Sequence, residues 1–264
     1  MTDADTSSPL WQSGSGGLLW AQMLDISSRV KGQFTALDAL SASFTDLYWL
    51  SQQQGSALDR LQALLARRQS RPAPQTLLDN LLPEALATGS GGSSLGVAIW
   101  AAALAEQAAI DCYPLLLAGN LLLVVEERGD SQLLEPLNGQ RCEQRQLDAM
   151  VRVSRGDWQR WSPALLKRPS EAEVLSRWLL ELRALLIAHE QWDEALVVTS
   201  EQLRRQPDDL YARRDRGFVL DQLNCGELAR LDFERFVKEC PDDPSIPLLR
   251  QRLQELAGER LVRH

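Results

Sequence analysis

The last third of the chain repeats itself at a fixed interval. In "WDEALVVTSEQLRRQPDD" and "CGELARLDFERFVKECPDD", Ala195 is matched by Ala229, Leu203 by Val237 and Pro207 by Pro241, each pair 34 residues apart. A period of that length, helical in its apolar spacing and punctuated by proline, describes a pair of helices. Such a pair cannot bury its own apolar face and must stack on a copy of itself. The same register puts Gly217 at the close crossing of the second pair and Arg183 at the equivalent place in the first. An arginine fits a close crossing poorly.

A 34-residue helix pair is the tetratricopeptide pattern. It starts after "KRPS", where Ser170 and Glu173 have the spacing of a capping box, and we assign it residues 169–264. The final "PSIPLLRQRLQELAGERLV" reads as a polar capping helix. Two pairs and a cap are marginal alone, so the array is expected to dock on what precedes it. Counting the pairs from Ser176 and Leu210, the first helix of each would line a concave groove. Its residues are Arg177, Leu180, Ala184 and Ile187, then Tyr211, Arg214, Phe218 and Asp221. Two arginines beside a tyrosine and a phenylalanine suit an extended peptide with an acidic group. Arginine takes a carboxylate bidentately, and aromatic rings supply contact area. The same residues suit docking onto the N-terminal domain equally well. Arg216 and Asp232, one helix apart, predict a structural ion pair.

Upstream, "LLWAQMLDISSRV", "FTALDALSASFTDLYWL" and "ALDRLQALLARR" carry apolar residues at helical spacing across 16–69. "QSRPAP" breaks the run, and "QTLLDNLLPEAL" is a short helix. The loop "ATGSGGSS" opens "LGVAIWAAALAEQAAI", with Ser93 or Ser94 as N-cap. That helix is apolar all round, hence buried on all sides. "CYPLLLA", "NLLLVVEE" and "QLLEPL" follow as strands, with turns at Gly119, at "RGD" (128–130) and at "NG" (138–139). The sheet they form is covered on at least one face, by the helix at 95–109. "LDAMVRV" is a short helix and "DWQRW" is amphipathic. The domain organisation is a flexible tail at 1–16, an α+β domain at 17–168 and the repeats at 169–264.

Charge and composition narrow the partners. With 28 basic and 36 acidic residues the net charge is −8, against a nucleic-acid partner, which needs a basic face. No apolar run approaches the roughly 20 residues of a membrane span, and "MTDADTSSPLWQSGSGG" lacks the basic and apolar regions of a secretory signal. A cytoplasmic location and no membrane partner are expected. Cys112, Cys142, Cys225 and Cys240 show no CxxC spacing, and only His189 and His264 could join them. We therefore expect no metal and no cofactor, and free thiols in a reducing compartment. Cys225 and Cys240, at the two ends of one predicted helix, lie too far apart to bridge.

A helix start followed by two strands is the order in which papain-like folds present Cys, His and Asp. A helix N-terminus favours the thiolate, an adjacent histidine generates it, and a carboxylate orients the imidazole. Here the three places hold Gly92 (give or take one residue), Asn120 and Glu135. Ser93 and Ser94 are hydroxyls without a base. Asn120 cannot take up a proton, and Glu135 has no imidazole to orient. His189 falls in the first helix pair and His264 is the last residue, so neither has an evident route to the sheet. Cys112 opens the first strand and reads as core packing. "GSGGSS" lacks the GK[ST] of a phosphate loop, and "RGD" is a hairpin tip.

Taken together, "GG.SLGVAIWAAALAEQAAID…PLLLAGNLLLVV…LLEPLNG", "EVLSRWLLELRALL", "RRDRGFVLDQLN" and "A..DFERFVKECPDDP" resemble the bacterial SirB-type family. These are transglutaminase-like proteins with C-terminal tetratricopeptide repeats, once linked by name to invasion regulation. The likeness spans about residues 30 to 257, and Arg214-Asp215-Arg216-Gly217 and "EPLNG" are its most specific pieces. It implies a mainly helical α+β fold: a degenerate transglutaminase-like (papain-like) α+β domain followed by an all-α tetratricopeptide array. Many relatives carry "GHF" and "DPF" where this chain has Gly119-Asn120-Leu121 and Glu135-Pro136-Leu137, so inherited catalysis is not expected. The expected function is a non-catalytic interaction, scaffold or regulatory protein with an unidentified protein or peptide partner. The alternative is a weak thiol-dependent hydrolase or acyltransferase using Cys112.

Overall fold

A computed structural model describes residues 15–31, 33–71, 82–117, 119–155 and 159–262. Most of the tail, much of the short helix expected at 75–86, part of "DWQRW" and His264 lie outside them. The chain forms two compact units, Met1–Trp178 and Leu179–His264.

In the first unit, helices α1 (Ser15–Lys31), α2 (Gln33–Gln52), α3 (Ala57–Gln69) and α4 (Pro83–Thr88) precede α5 (Ser94–Gln107). α3 starts on a complete capping box, Ser56 with Asp59, which satisfies two otherwise orphaned amides. α5 starts on Ser93, whose hydroxyl accepts from the Gly96 amide at 3.0 Å, one of the two caps expected from sequence. Leu95 to Ala105 are all buried, as the unbroken apolar composition requires. α1 and α2 pack against α5 from one side, and the sheet lies on it from the other.

The sheet has the order β1-β2-β3 and is antiparallel throughout, with β1 at Asp111–Leu117, β2 at Asn120–Glu127 and β3 at Asp130–Leu134. Arg128 and Gly129 both hold positive φ, 54° and 84°. This gives the β2–β3 turn the mirror-image geometry that matches strand twist, and it makes "RGD" a hairpin tip. The register aligns Cys112 with Val125 and Leu123 with Leu134. Those four residues are buried on the face that α5 covers. The opposite face is also closed: Tyr113, Leu115, Leu122, Val124 and Leu133 form a core with Leu147 and Val151 of α6 (Gln144–Arg155) and with Trp161. Sequence reading named only the first cover. α6 is mostly polar, and Leu147, Met150 and Val151, three and four residues apart, mark its inward side.

α7 (Glu171–Ala188) opens on the expected capping box, Ser170 with Glu173, and the division between the units falls within it. In the second unit, α8 (Trp192–Arg205), α9 (Leu210–Gln222), α10 (Gly226–Glu239) and α11 (Ile246–Val262) complete two helix pairs and a cap. α8 and α10 both pack on α9. A Cβ at Gly217 would lie 2.8 Å from the Phe233 ring, so only glycine permits this crossing. Arg216 holds Asp232 through two bonds, at 2.7 and 2.8 Å, and Arg213 adds a third at 3.2 Å. The expected ion pair is thus a triad. Arg183 corrects the sequence reading. It is buried, bonded to Asp215 at 3.1 Å and Gln202 at 3.2 Å, so it fills the crossing where glycine stands in the second pair.

Candidate functional site

Topology brings the three degenerate positions to one end of the sheet. Only residues 108–110 separate α5 from β1, so helix and strand run in opposite directions. The N-terminus of α5 therefore lies at the end where β1 stops and β2 begins, with Asn120. Leu134 pairs with Leu123, which places Glu135 at that same end. The three places named from the sequence thus share one end of the sheet. Gly92 holds φ of 134°, and a Cβ there would meet Leu86 at 2.4 Å and Val97 at 2.9 Å. Leu86 occupies the space in which a nucleophile would stand. Asn120 is exposed. The Glu135 carboxylate accepts from the Asn138 amide at 2.6 Å and belongs to the turn that its backbone closes through Gly139 and Gln140.

The thiol considered as an alternative nucleophile is at the other end. Cys112 pairs with Val125, five residues along β2 from Asn120, or roughly 17 Å at strand rise. Burial, with a smaller push from Asp111, raises its pKa far above the ordinary thiol range. Around it are structural contacts: Arg168 bonds Asp111 at 2.9 Å and stacks on the Tyr113 ring, and the Tyr113 hydroxyl donates to Glu126 at 3.0 Å. Burial and that carboxylate push the phenol up to about 12. His189 is exposed just past the end of α7. Among the described residues no cluster of histidine, cysteine or carboxylate could hold a metal ion.

Sequence reasoning missed a charged cluster behind the α5 turn. Asp46 of α2 and Arg68 of α3 are both buried. Arg71 bonds the Asp46 carboxylate, and Arg67 approaches it at 3.7 Å. Arg68 donates to the backbone oxygens of Leu86 at 3.0 Å and Ser90 at 2.9 Å. The Arg68 and Arg71 guanidinium groups each lie 5.9 Å from the centre of the Trp100 ring. Burial, then repulsion from Arg71, pushes Arg68 down to about 10, still a cation at neutral pH. The signal was available: Arg68 continues the stripe Leu61, Leu64, Leu65, and Asp46 continues Ala39, Ser43, so both sit on the inward faces of their helices.

In the repeats, the predicted groove residues have local partners. Arg214 stacks on Tyr211 at 5.3 Å and Phe236 at 5.5 Å, and bonds Asp215 at 2.9 Å. Phe218 meets Trp192 edge-on at 5.7 Å. Asp221 is held at 2.7 and 2.8 Å by Arg252 of α11. Arg177 is exposed on α7. Apolar side chains nonetheless remain in solvent at these places: Tyr211 is 52% exposed, and Leu248 of α11, 68 residues after Leu180 and so two repeat periods on, is 68% exposed.

A helix N-terminus facing two strand ends, followed by stacked helix pairs, defines a transglutaminase-like domain joined to tetratricopeptide repeats. Comparison with known families agrees: residues 35–180 match the transglutaminase-like superfamily, and residues 182–254 match the tetratricopeptide repeat. The chain belongs to the transglutaminase-like superfamily. It is similar to a UPF0162 protein of Vibrio cholerae, 33% identical over 49% of this chain and 48% of that one. It is also similar to protein SirB1 of Salmonella typhimurium and to UPF0162 protein YchA of Escherichia coli, 28% identical in each case over 67% of this chain and 65% of theirs. The chain thus spans about half to two thirds of the length of these curated relatives. No solved structure matches.

Proposed function

We propose that the protein is a non-catalytic interaction scaffold, whose repeats take an extended protein or peptide segment while its transglutaminase-like domain serves as a framework. The observation that carries this reading is the set of apolar side chains left in solvent at groove positions: Leu180, Tyr211, Phe218 and Leu248. A soluble surface leaves such residues clustered where a partner covers them. Arg214 stacks on Tyr211 and is already faced by the carboxylates of Asp215 and Asp243, so it helps to hold that ring in place rather than offering a free charge. Support for the absence of catalysis comes from Gly92 and Asn120, which offer neither nucleophile nor base, and from Glu135, whose carboxylate is engaged by Asn138 and has no imidazole to orient. The thiol-hydrolase alternative is disfavoured by the burial of Cys112. We place the protein in the cytoplasm, consistent with the lack, among the described residues, of any helix long and apolar enough to cross a membrane.

The test is co-purification of partners from the protein's own cell extract, comparing wild type with Tyr211→Ala/Leu248→Ala. Both side chains are exposed, so the double variant should fold, which circular dichroism checks. Partners recovered by wild type and lost by the variant support the groove; equal recovery by both overturns it. Arg214→Glu is a poorer probe, because it would set a third carboxylate beside Asp215 and Asp243.

A further inference from the structure

Among the described residues, Arg68 is a buried cation with no carboxylate of its own. It is 1% exposed, and its Nε and Nη1 donate to neutral backbone oxygens, those of Leu86 and Ser90. Among the described residues the cluster's one carboxylate, Asp46, is taken by Arg71 and approached by Arg67. Three guanidinium groups therefore surround one acid. A buried charge is tolerated when it is paired and its hydrogen bonds are complete, yet Nη2 of Arg68 is buried and makes no hydrogen bond.

The direction of that atom is informative. An ideal Cβ on Gly92 would lie 2.9 Å from Nη2, so the free amino group is aimed at the turn leading into α5. In that turn the Ser93 hydroxyl takes the Gly96 amide and the Ser93 carbonyl takes the Val97 amide. The amides of Ser94 and Leu95 come earlier and have no acceptor within the helix. α5 has 14 residues, long enough for its N-terminus to favour negative charge. Two unrelated sources of positive potential, a helix start and an unpaired guanidinium, thus meet at one point. Ser90 to Ser94 are small and all half-buried, so the turn keeps partial access to solvent.

We propose that this point is an oxyanion-binding site: a phosphate or carboxylate group seated at the α5 N-terminus, accepting from Arg68 Nη2 and from the leading amides of the helix. The ligand supplies the counter-charge that the cluster lacks. The site reuses the end of the fold at which the degenerate positions gather, for recognition rather than chemistry, and it does not depend on the repeats.

Nuclear magnetic resonance of the full chain tests this, with inorganic phosphate and acetate titrated separately at ionic strength held constant with sodium chloride. Saturable shifts are expected at the amides of Gly91 to Gly96 and at the Trp100 indole, whose own Nε1 is buried without an acceptor. Arg68→Lys keeps the charge but loses the fork, and should weaken binding about tenfold. Saturation by phosphate alone assigns a phosphate group as the source, by acetate alone a carboxylate; either supports the site. Non-saturating shifts with both anions in wild type overturn it, as does unchanged affinity in Arg68→Lys. Should that variant fail to fold, the Arg68 guanidinium resonances of the wild type replace it: a saturable shift in step with the Gly91 to Gly96 amides supports the site, and no shift overturns it.

Discussion

Cys112 and Cys225 are the same residue type in opposite settings. Cys225 is exposed at the start of α10, whereas Cys112 is buried between sheet and helix. Because burial raises its pKa, the Cys112 thiolate is scarce at neutral pH, and the thiolate is the reactive form. Brief iodoacetamide treatment of the folded protein at neutral pH should therefore label Cys225 and leave Cys112 unmodified, with both labelled in urea, as peptide mass spectrometry would show. Labelling of folded Cys112 would revive the thiol-hydrolase alternative. At this scale the sequence was only partly readable. That Gly92 and Asn120 carry neither a thiol nor an imidazole follows from residue type alone. That Arg183 is at home in a helix crossing does not, because its partners Gln202 and Asp215 come from two other helices. Pairing across helices leaves no periodic trace in the chain.

Between elements, close approach decides most. Gly217 lets α9 lie against α10, with Phe233 of α10 filling the room a methyl would need. Gly217→Ala should destabilise the protein by about 2 kcal/mol through overpacking, read as a lower urea midpoint with unchanged slope. The 34-residue period made this glycine visible before any coordinates, since a small residue at a repeated crossing has one structural meaning. The three strands were equally legible, being short apolar runs between turn residues. The second cover of the sheet was less so. α6 is strongly amphipathic, with Leu147, Met150 and Val151 on its inward side, but that pattern marks a buried face without naming the surface it covers. The inward faces of α2 and α3 were legible as stripes, but a charged residue continuing such a stripe reads as its end. For that reason Asp46 and Arg68 passed unnoticed.

At the largest scale, α5 is the common support of the first unit: α1, α2 and α4 lie against it, as do β1 and β2. It is alanine-rich through its middle and buried from Leu95 to Ala105. A helix enclosed in this way has no partial opening that leaves its neighbours intact, so its amides exchange only when the surrounding unit comes apart. Deuterium uptake at Ile99 to Ala103 should be the slowest in the first unit, and should accelerate in step with its global unfolding as urea is added. Uptake there as fast as in α6 would contradict the packing described. The same enclosure makes this helix a concealed hazard. Once released it presents a long uncharged apolar surface, so a variant that loosens the unit would meet quality-control chaperones and proteases through this segment before any loss of binding could be measured.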